Sequence, residues 1–157
     1  MGRAEVWYAQ LSSFHAAAAA LITATGIDHL LLSEAHPPCH WSLAGGYVEA
    51  AEFPHDASAR ELQRNSALPS NPAPCWSCGL NATRGQTALA IISLTFDRGE
   101  ISANADITLD IGELDAWAFL APDEAATRLS ANVAPRITAA LRAHTRGKRR
   151  SQNMKSS

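Results

Sequence analysis

Two stretches of this chain carry residue types at spacings that do chemistry. The first, Trp41 to Leu68, reads WSLAGGYVEAAEFPHDASARELQRNSAL. Its glycines Gly45 and Gly46 precede Glu49 and Glu52, and a helical polar–apolar pattern then carries Arg60, Glu61 and Leu62. The second is Cys75-Trp-Ser-Cys78, a spacing shared by zinc ligands and redox pairs, with His36, Cys39 and His40 as further donors. A structural zinc wants two such pairs, and the chain has one CxxC. A redox CxxC opens a helix, whereas Pro74 and Gly79 bracket a short strand or loop. The carboxylate stretch therefore carries more weight. Its plainest structural uses are a loop-to-helix salt bridge between Glu52 and Arg60 and an i,i+3 pair between Glu61 and Arg64.

The first stretch resembles the signature box of Nudix hydrolases: Gly, five residues, Glu, seven residues, then Arg-Glu-aliphatic-x-Glu-Glu-x-Gly-aliphatic. Gly46, Glu52, Arg60, Glu61, Leu62 and Leu68 fall in register. Arg64 and Asn65 stand where the box has its paired glutamates, Ala67 where it has its last glycine, and Ala44 where the family usually has proline. The segments WYAQL, HWSLAGG, FDRG and ELDAWAFLAPDEA extend the likeness across most of the chain, toward a bacterial subgroup of actinobacterial type.

The resemblance implies an α/β fold, an α/β/α sandwich with a mixed sheet, the box helix on one side and the C-terminal helix on the other. It implies cleavage of the pyrophosphate in nucleoside diphosphate-linked substrates, with Mg2+ or Mn2+ neutralising phosphate oxygens and activating water. By carry-over, Glu61 is the base or a metal ligand, Arg60 orients neighbouring glutamates, and Glu52 closes the loop–helix unit. Gly45 offers a carbonyl to the metal beside Glu61, and Gly45, Gly46 and Arg64 are the substrate-binding candidates.

One carboxylate, a guanidinium and an amide now share a helix face that the family fills with three carboxylates. The paired positions move from −2 to +1, and at roughly 4 Å each unit charge pair is worth on the order of 1 to 4 kcal/mol. Arg64 thus repels a metal as well as failing to bind one, so activity is expected to be weak or lost. Asp97, Glu100, Asp106 and Glu113 are downstream carboxylates that could replace a ligand, although their context reads as turn and surface. The alternative is a non-catalytic module that binds a nucleotide or a protein, with Arg64 pairing with a phosphate in place of the cation.

With 157 residues, 46% hydrophobic and 18% charged, the chain has the size and composition of one domain with one core. A formal net charge of −2 argues against nucleic-acid and membrane partners and leaves a nucleotide-type small molecule. No stretch reads as a signal peptide or bilayer span, and three cysteines suit a reducing, cytoplasmic setting. Dimers are common among relatives, which leaves a homodimer open. The domain is expected over 1–145 and a basic, disordered tail over 146–157.

The elements that must position the site follow. Trp7, Tyr8 and Leu11 should edge the domain. Ala16–Thr25 opens on five consecutive alanines that favour a helix, but the resemblance implies the first core strand, and His29–Ser33 the second. Trp41–Glu49 should be a strand turning at the glycines, and Pro54 should open a helix through Ala67. Thr87–Phe96 alternates as a central strand, with a turn at Asp97–Gly99. Ile107–Ile111 and Ala116–Leu120 read as short strands, Pro122–Leu129 as a helix, and Pro135–His144 as an amphipathic helix using Ile137 and Leu141. His15, His29, His55 and His144 read as surface or edge residues. Trp41 and Trp117 read as core.

Overall fold

The computed structural model describes residues 2–35, 40–69, 74–81, 90–110 and 112–155. The alanine-rich stretch is a strand, β1 (His15–Ala24), and its neighbours give the reason. Along β1, Leu21 enters one apolar cluster while Ala20 and Ile22 enter another on the opposite face. In β2 (Leu30–Ala35), Leu30 and Leu32 face the first cluster and Leu31 the second. A strand covered on both faces buries every side chain at period two, and that burial outweighs the local helix preference of alanine.

The small β1 side chains also set the layer spacing. The box helix α2 (Pro54–Ser66) brings Ala57 against Ala18 and Phe96. Leu62, wholly buried, anchors the same helix to Ala20, Ile22 and Leu31. The opposite face is covered by α3 (Pro122–Arg128) and α4 (Ala134–Lys155), through Ala125, Ile137 and Ala140.

Among the described residues the sheet has seven strands. The others are β3 (His40–Ser42), β4 (Ala44–Tyr47), β5 (Cys75–Asn81), β6 (Ile91–Ile101) and β7 (Leu114–Leu120). The main path runs β3-β2-β1-β6-β5, with β4 on β1 and β7 on β2. β1 and β6 pair in parallel, His15 opposite Ile91, and the remaining pairs are antiparallel. The sheet is therefore mixed, between helical layers, as the resemblance implied.

Several expectations need correction. Trp7, Tyr8 and Leu11 do not edge the core: α1 (Arg3–Tyr8) and its exit are exposed. Gly45 and Gly46 lie inside β4, opposite Ala19 and Ala18, and the chain turns only after Tyr47. Asp97–Gly99 is no turn between strands but an irregularity within β6, where Leu21 faces Asp97 and Thr23 already faces Glu100. Gly99 supplies the positive φ (86°) this needs. Strand alternation there sends consecutive charges to opposite layers: Asp97 accepts from His144 of α4, and Arg98 donates to the His55 carbonyl of α2.

Residues 107–110 form no strand, although Ile107 is buried against α2's cluster. α4 does not end near 145: its backbone continues to Lys155, through much of the stretch read as tail. His144 is buried rather than at the surface. The central strand starts at Ile91, and Thr87–Leu89, residues 36–39 and Ile111 fall outside the described residues.

Candidate functional site

The loop and helix after β4 are tied by Arg60. Its Nε donates to Glu52 Oε1 at 2.8 Å and its Nη2 to Glu52 Oε2 at 3.0 Å, a bidentate pair. The same Nη2 reaches the Tyr47 carbonyl at 3.1 Å, and Nη1 donates to Glu61 Oε1. Glu52 also accepts from the Glu49 amide at 2.9 Å, which fixes the turn. Glu49 itself is peripheral, 3.7 Å from Nη1 and largely exposed. Bonding from Arg60, reinforced by the Glu49 N–H, holds the Glu52 carboxyl down at about 2. The Arg60 guanidinium is pushed up in turn, chiefly by its bonds to Glu52.

Glu61 is 6% exposed and packs against bare backbone. A Cβ at Gly46 would fall 2.7 Å from Glu61 Cδ, so glycine at 46 is what admits the carboxylate. A Cβ at Gly45 would instead strike the Ala18 carbonyl at 2.6 Å. Gly46, Glu52, Arg60 and Glu61 thus form one connected unit, while Gly45 beside it clears β1. Helix α2 ends at Ala67, whose φ of 53° is the left-handed conformation that glycine adopts freely.

Arg64 does not belong to this unit. Nor does it pair with Glu61, as the i,i+3 reading held. Its guanidinium donates to Glu113 and lies 4.0 Å from Asp110, across the segment that precedes β7. Asn65 turns inward, 6% exposed, beside a small apolar pocket lined by Ile107, Leu109 and Trp117. Its Oδ1 is buried without a hydrogen-bond partner.

A magnesium ion needs several hard oxygen donors in an octahedron. Of positions 61, 64 and 65, only Glu61 offers a carboxylate, and that is already bonded to Arg60. Asn65, the only other oxygen donor of the three, is a neutral amide that lines an apolar pocket. Among the described residues no group of three His, Cys, Asp or Glu is placed to hold a metal ion. This donor set does not fit a divalent cation.

The downstream carboxylates have other partners or places. Glu113 is taken by Arg64, Asp97 by His144 at 2.6 Å, and Glu100 and Asp106 lie exposed in β6 and the loop after it. Cys75 and Cys78 are free and exposed on the edge strand β5. Cys39 and His36 fall outside the described residues.

A cavity of about 350 Å3 opens on the α4 side of the sheet. Ala17 and Ala19, with their cross-strand partners Ser93 and Thr95, line it on the sheet side, and Gly45 and Gly46 also line it. It therefore meets the Glu61 unit across β4. Arg136 of α4 also lines it and went unnoticed in the sequence. One signal was available: positions 132, 133, 139 and 140, its helical neighbours, are Asn, Val, Ala and Ala, and none is acidic.

The chain matches the NUDIX domain family over residues 13–141, and it belongs to that family. Solved structures agree on the fold. The MutT protein from Methanosarcina mazei Go1 superposes with a TM-score of 0.70 at 19% identity, covering 87% of this chain and 97% of its own. A NUDIX hydrolase from Nitrosomonas europaea gives 0.66 at 21% identity, over 87% and 91% of the two chains. The NUDIX domain of Shewanella oneidensis NrtR, complexed with ADP ribose, gives 0.66 at 14%, over 93% and 99%. No curated protein shows significant similarity to the chain. No described helix is long and apolar enough to cross a membrane.

Proposed function

We propose that this Nudix protein binds a nucleoside diphosphate-linked ligand in the cavity beside Gly45 and Gly46, and hydrolyses its pyrophosphate slowly or not at all. The observation that carries the reading is a split between two halves of the box. Glu52, Arg60 and Glu61 are hydrogen-bonded together, and Glu61 packs on Gly46, which borders the cavity. Positions 64 and 65, where the family's metal-binding pair stands, hold a guanidinium tied to Glu113 and a buried amide. Binding is supported by the first half and loss of turnover by the second. The ADP ribose in the Shewanella oneidensis relative supports the ligand class.

In this reading Glu61 is the candidate base, and Glu52 and Arg60 position it. Gly45 and Gly46 present backbone to the ligand. Arg64 drops out as a phosphate ligand, because Glu113 occupies it.

The test is pyrophosphatase activity over a panel of nucleoside diphosphate derivatives with Mg2+, Mn2+ or chelator. Wild type and the double variant Arg64→Glu, Asn65→Glu are compared, with melting temperatures as a check on folding. Binding of ADP-ribose that ignores chelator, with turnover appearing only in the double variant, is the expected result. Fast metal-dependent turnover by wild type, or no binding of any derivative, would overturn the reading.

A further inference from the structure

Arg136, near the start of α4, lines the cavity beside Ser93 and Thr95. Its stem lies on Gly79 of β5, where a Cβ would come 2.5 Å from Arg136 Cδ. Glycine at 79 is therefore the notch that seats this side chain. Its Nε donates to the Asn132 carbonyl at 3.2 Å, and among the described residues no carboxylate pairs with it. Among the described residues none lining the cavity is Asp or Glu, in a chain whose formal net charge is −2.

Arg60 and Arg64 show the contrast, since carboxylates hold both. Burial pulls the Arg136 pKa down with no acid opposing it. A half-buried guanidinium in that condition opposes folding. The chain keeps it in a cavity wall, where a ligand's charge can compensate.

We propose that Arg136 is the residue that reads ligand charge in this cavity, by pairing with a phosphoryl oxyanion of the nucleoside diphosphate-linked ligand. The inference rests on the cavity being the ligand site, as proposed above. It moves phosphate recognition from Arg64, which Glu113 occupies, to a guanidinium with no acidic partner. A planar fork of donors suits two phosphoryl oxygens at once. The cavity's 350 Å3 lies at the small end of ligand sites, which span about 300–1,000 Å3.

The experiment is titration calorimetry of wild type, Arg136→Met and Arg136→Lys in metal-free buffer. The probes are ADP-ribose, inorganic diphosphate and adenosine. Arg136→Met is expected to weaken both anions by about 10- to 100-fold, the loss of a charge-assisted hydrogen bond, and to leave adenosine within about 3-fold. Arg136→Lys, which keeps charge but loses the fork, should fall between. Without ligand, Arg136→Met should melt no lower than wild type. Unchanged anion binding in Arg136→Met overturns the inference and leaves the ligand site standing. Diphosphate binding lost in Arg136→Met, with ADP-ribose bound by neither protein, upholds Arg136 and sinks the nucleotide reading. Binding of neither anion to wild type sinks both. A fall in the ligand-free melting temperature, or failure of Arg136→Met to fold while Arg136→Lys binds like wild type, assigns the residue to structure instead.

Discussion

Replacing Gly46 by alanine tests whether glycine at 46 exists to admit the Glu61 carboxylate. Gly46 has no positive φ, so alanine meets no backbone penalty there. The new methyl would sit 2.7 Å from Glu61 Cδ and 2.9 Å from Oε1. Both lie inside van der Waals contact, so Glu61 or β4 must move. Glu61 is buried and bonded to Arg60, which leaves it little room. Overpacking of this kind costs about 1–3 kcal/mol. For a chain of this size that is a fall of roughly 2–10 °C in melting temperature. The measurement is urea unfolding of Gly46→Ala, Glu61→Ala and the double variant. In the double variant the methyl at 46 occupies the space the carboxylate left, so its cost should fall well below the sum of the single costs. Gly45→Ala is the internal control: its Cβ would strike the Ala18 carbonyl, and Glu61→Ala should not relieve it. A harmless Gly46→Ala, or strictly additive losses, would refute the reasoning.

Other outcomes follow from the same contacts. Glu52 has a lowered carboxyl pKa, so its stabilisation is present above the unfolded value of 4.5 and fades as pH falls toward about 2. The stability gap between wild type and Glu52→Gln, read from urea midpoints, should be flat above pH 5 and close below 4.5; a gap that widens in acid would contradict this. Arg64→Ala should cost less than about 1 kcal/mol, and less again in 1 M NaCl, because the pair with Glu113 is exposed. Asp97→Ala strands the buried His144 Nδ1 and should cost about 1–3 kcal/mol by urea unfolding. Ala67→Gly relieves a left-handed alanine and should raise stability by up to about 1 kcal/mol; a drop would mean that the Cβ of Ala67 packs usefully.

The frame of the fold was legible because its signals are local. Pro54 at the start of α2, Leu62 at its buried position and the alternation of β7 all follow from neighbours in sequence. The alanine run was legible only through the family resemblance, since what makes it a strand is cover from α2 and α4 on both faces. The glycines were misread as a turn because glycine marks close approach as well as turning, and here it clears the Ala18 carbonyl and the Glu61 carboxylate. Asp97–Gly99 misled in the same way, since a bulge within a strand and a turn between strands use the same residues. The pairing of Arg64 with Glu113 spans 49 residues and the buried His144–Asp97 pair spans 47, so no spacing rule reaches either.

The partnership of β1 with β6 also governs the order in which the molecule can be assembled. His15 finds Ile91 only after the 75 residues between them have been synthesised. A chain emerging at about 5–20 residues per second leaves the central strand without its parallel neighbour for seconds. Through that wait β4, paired with Ala17–Ala20, is the neighbour that holds the run as a strand against alanine's helical preference. Arrival of β6 therefore turns β1 from an edge strand into the middle of the sheet. That conversion, rather than collapse of α2, is the expected slow step in folding, and amide protection of β1 should appear together with that of β6.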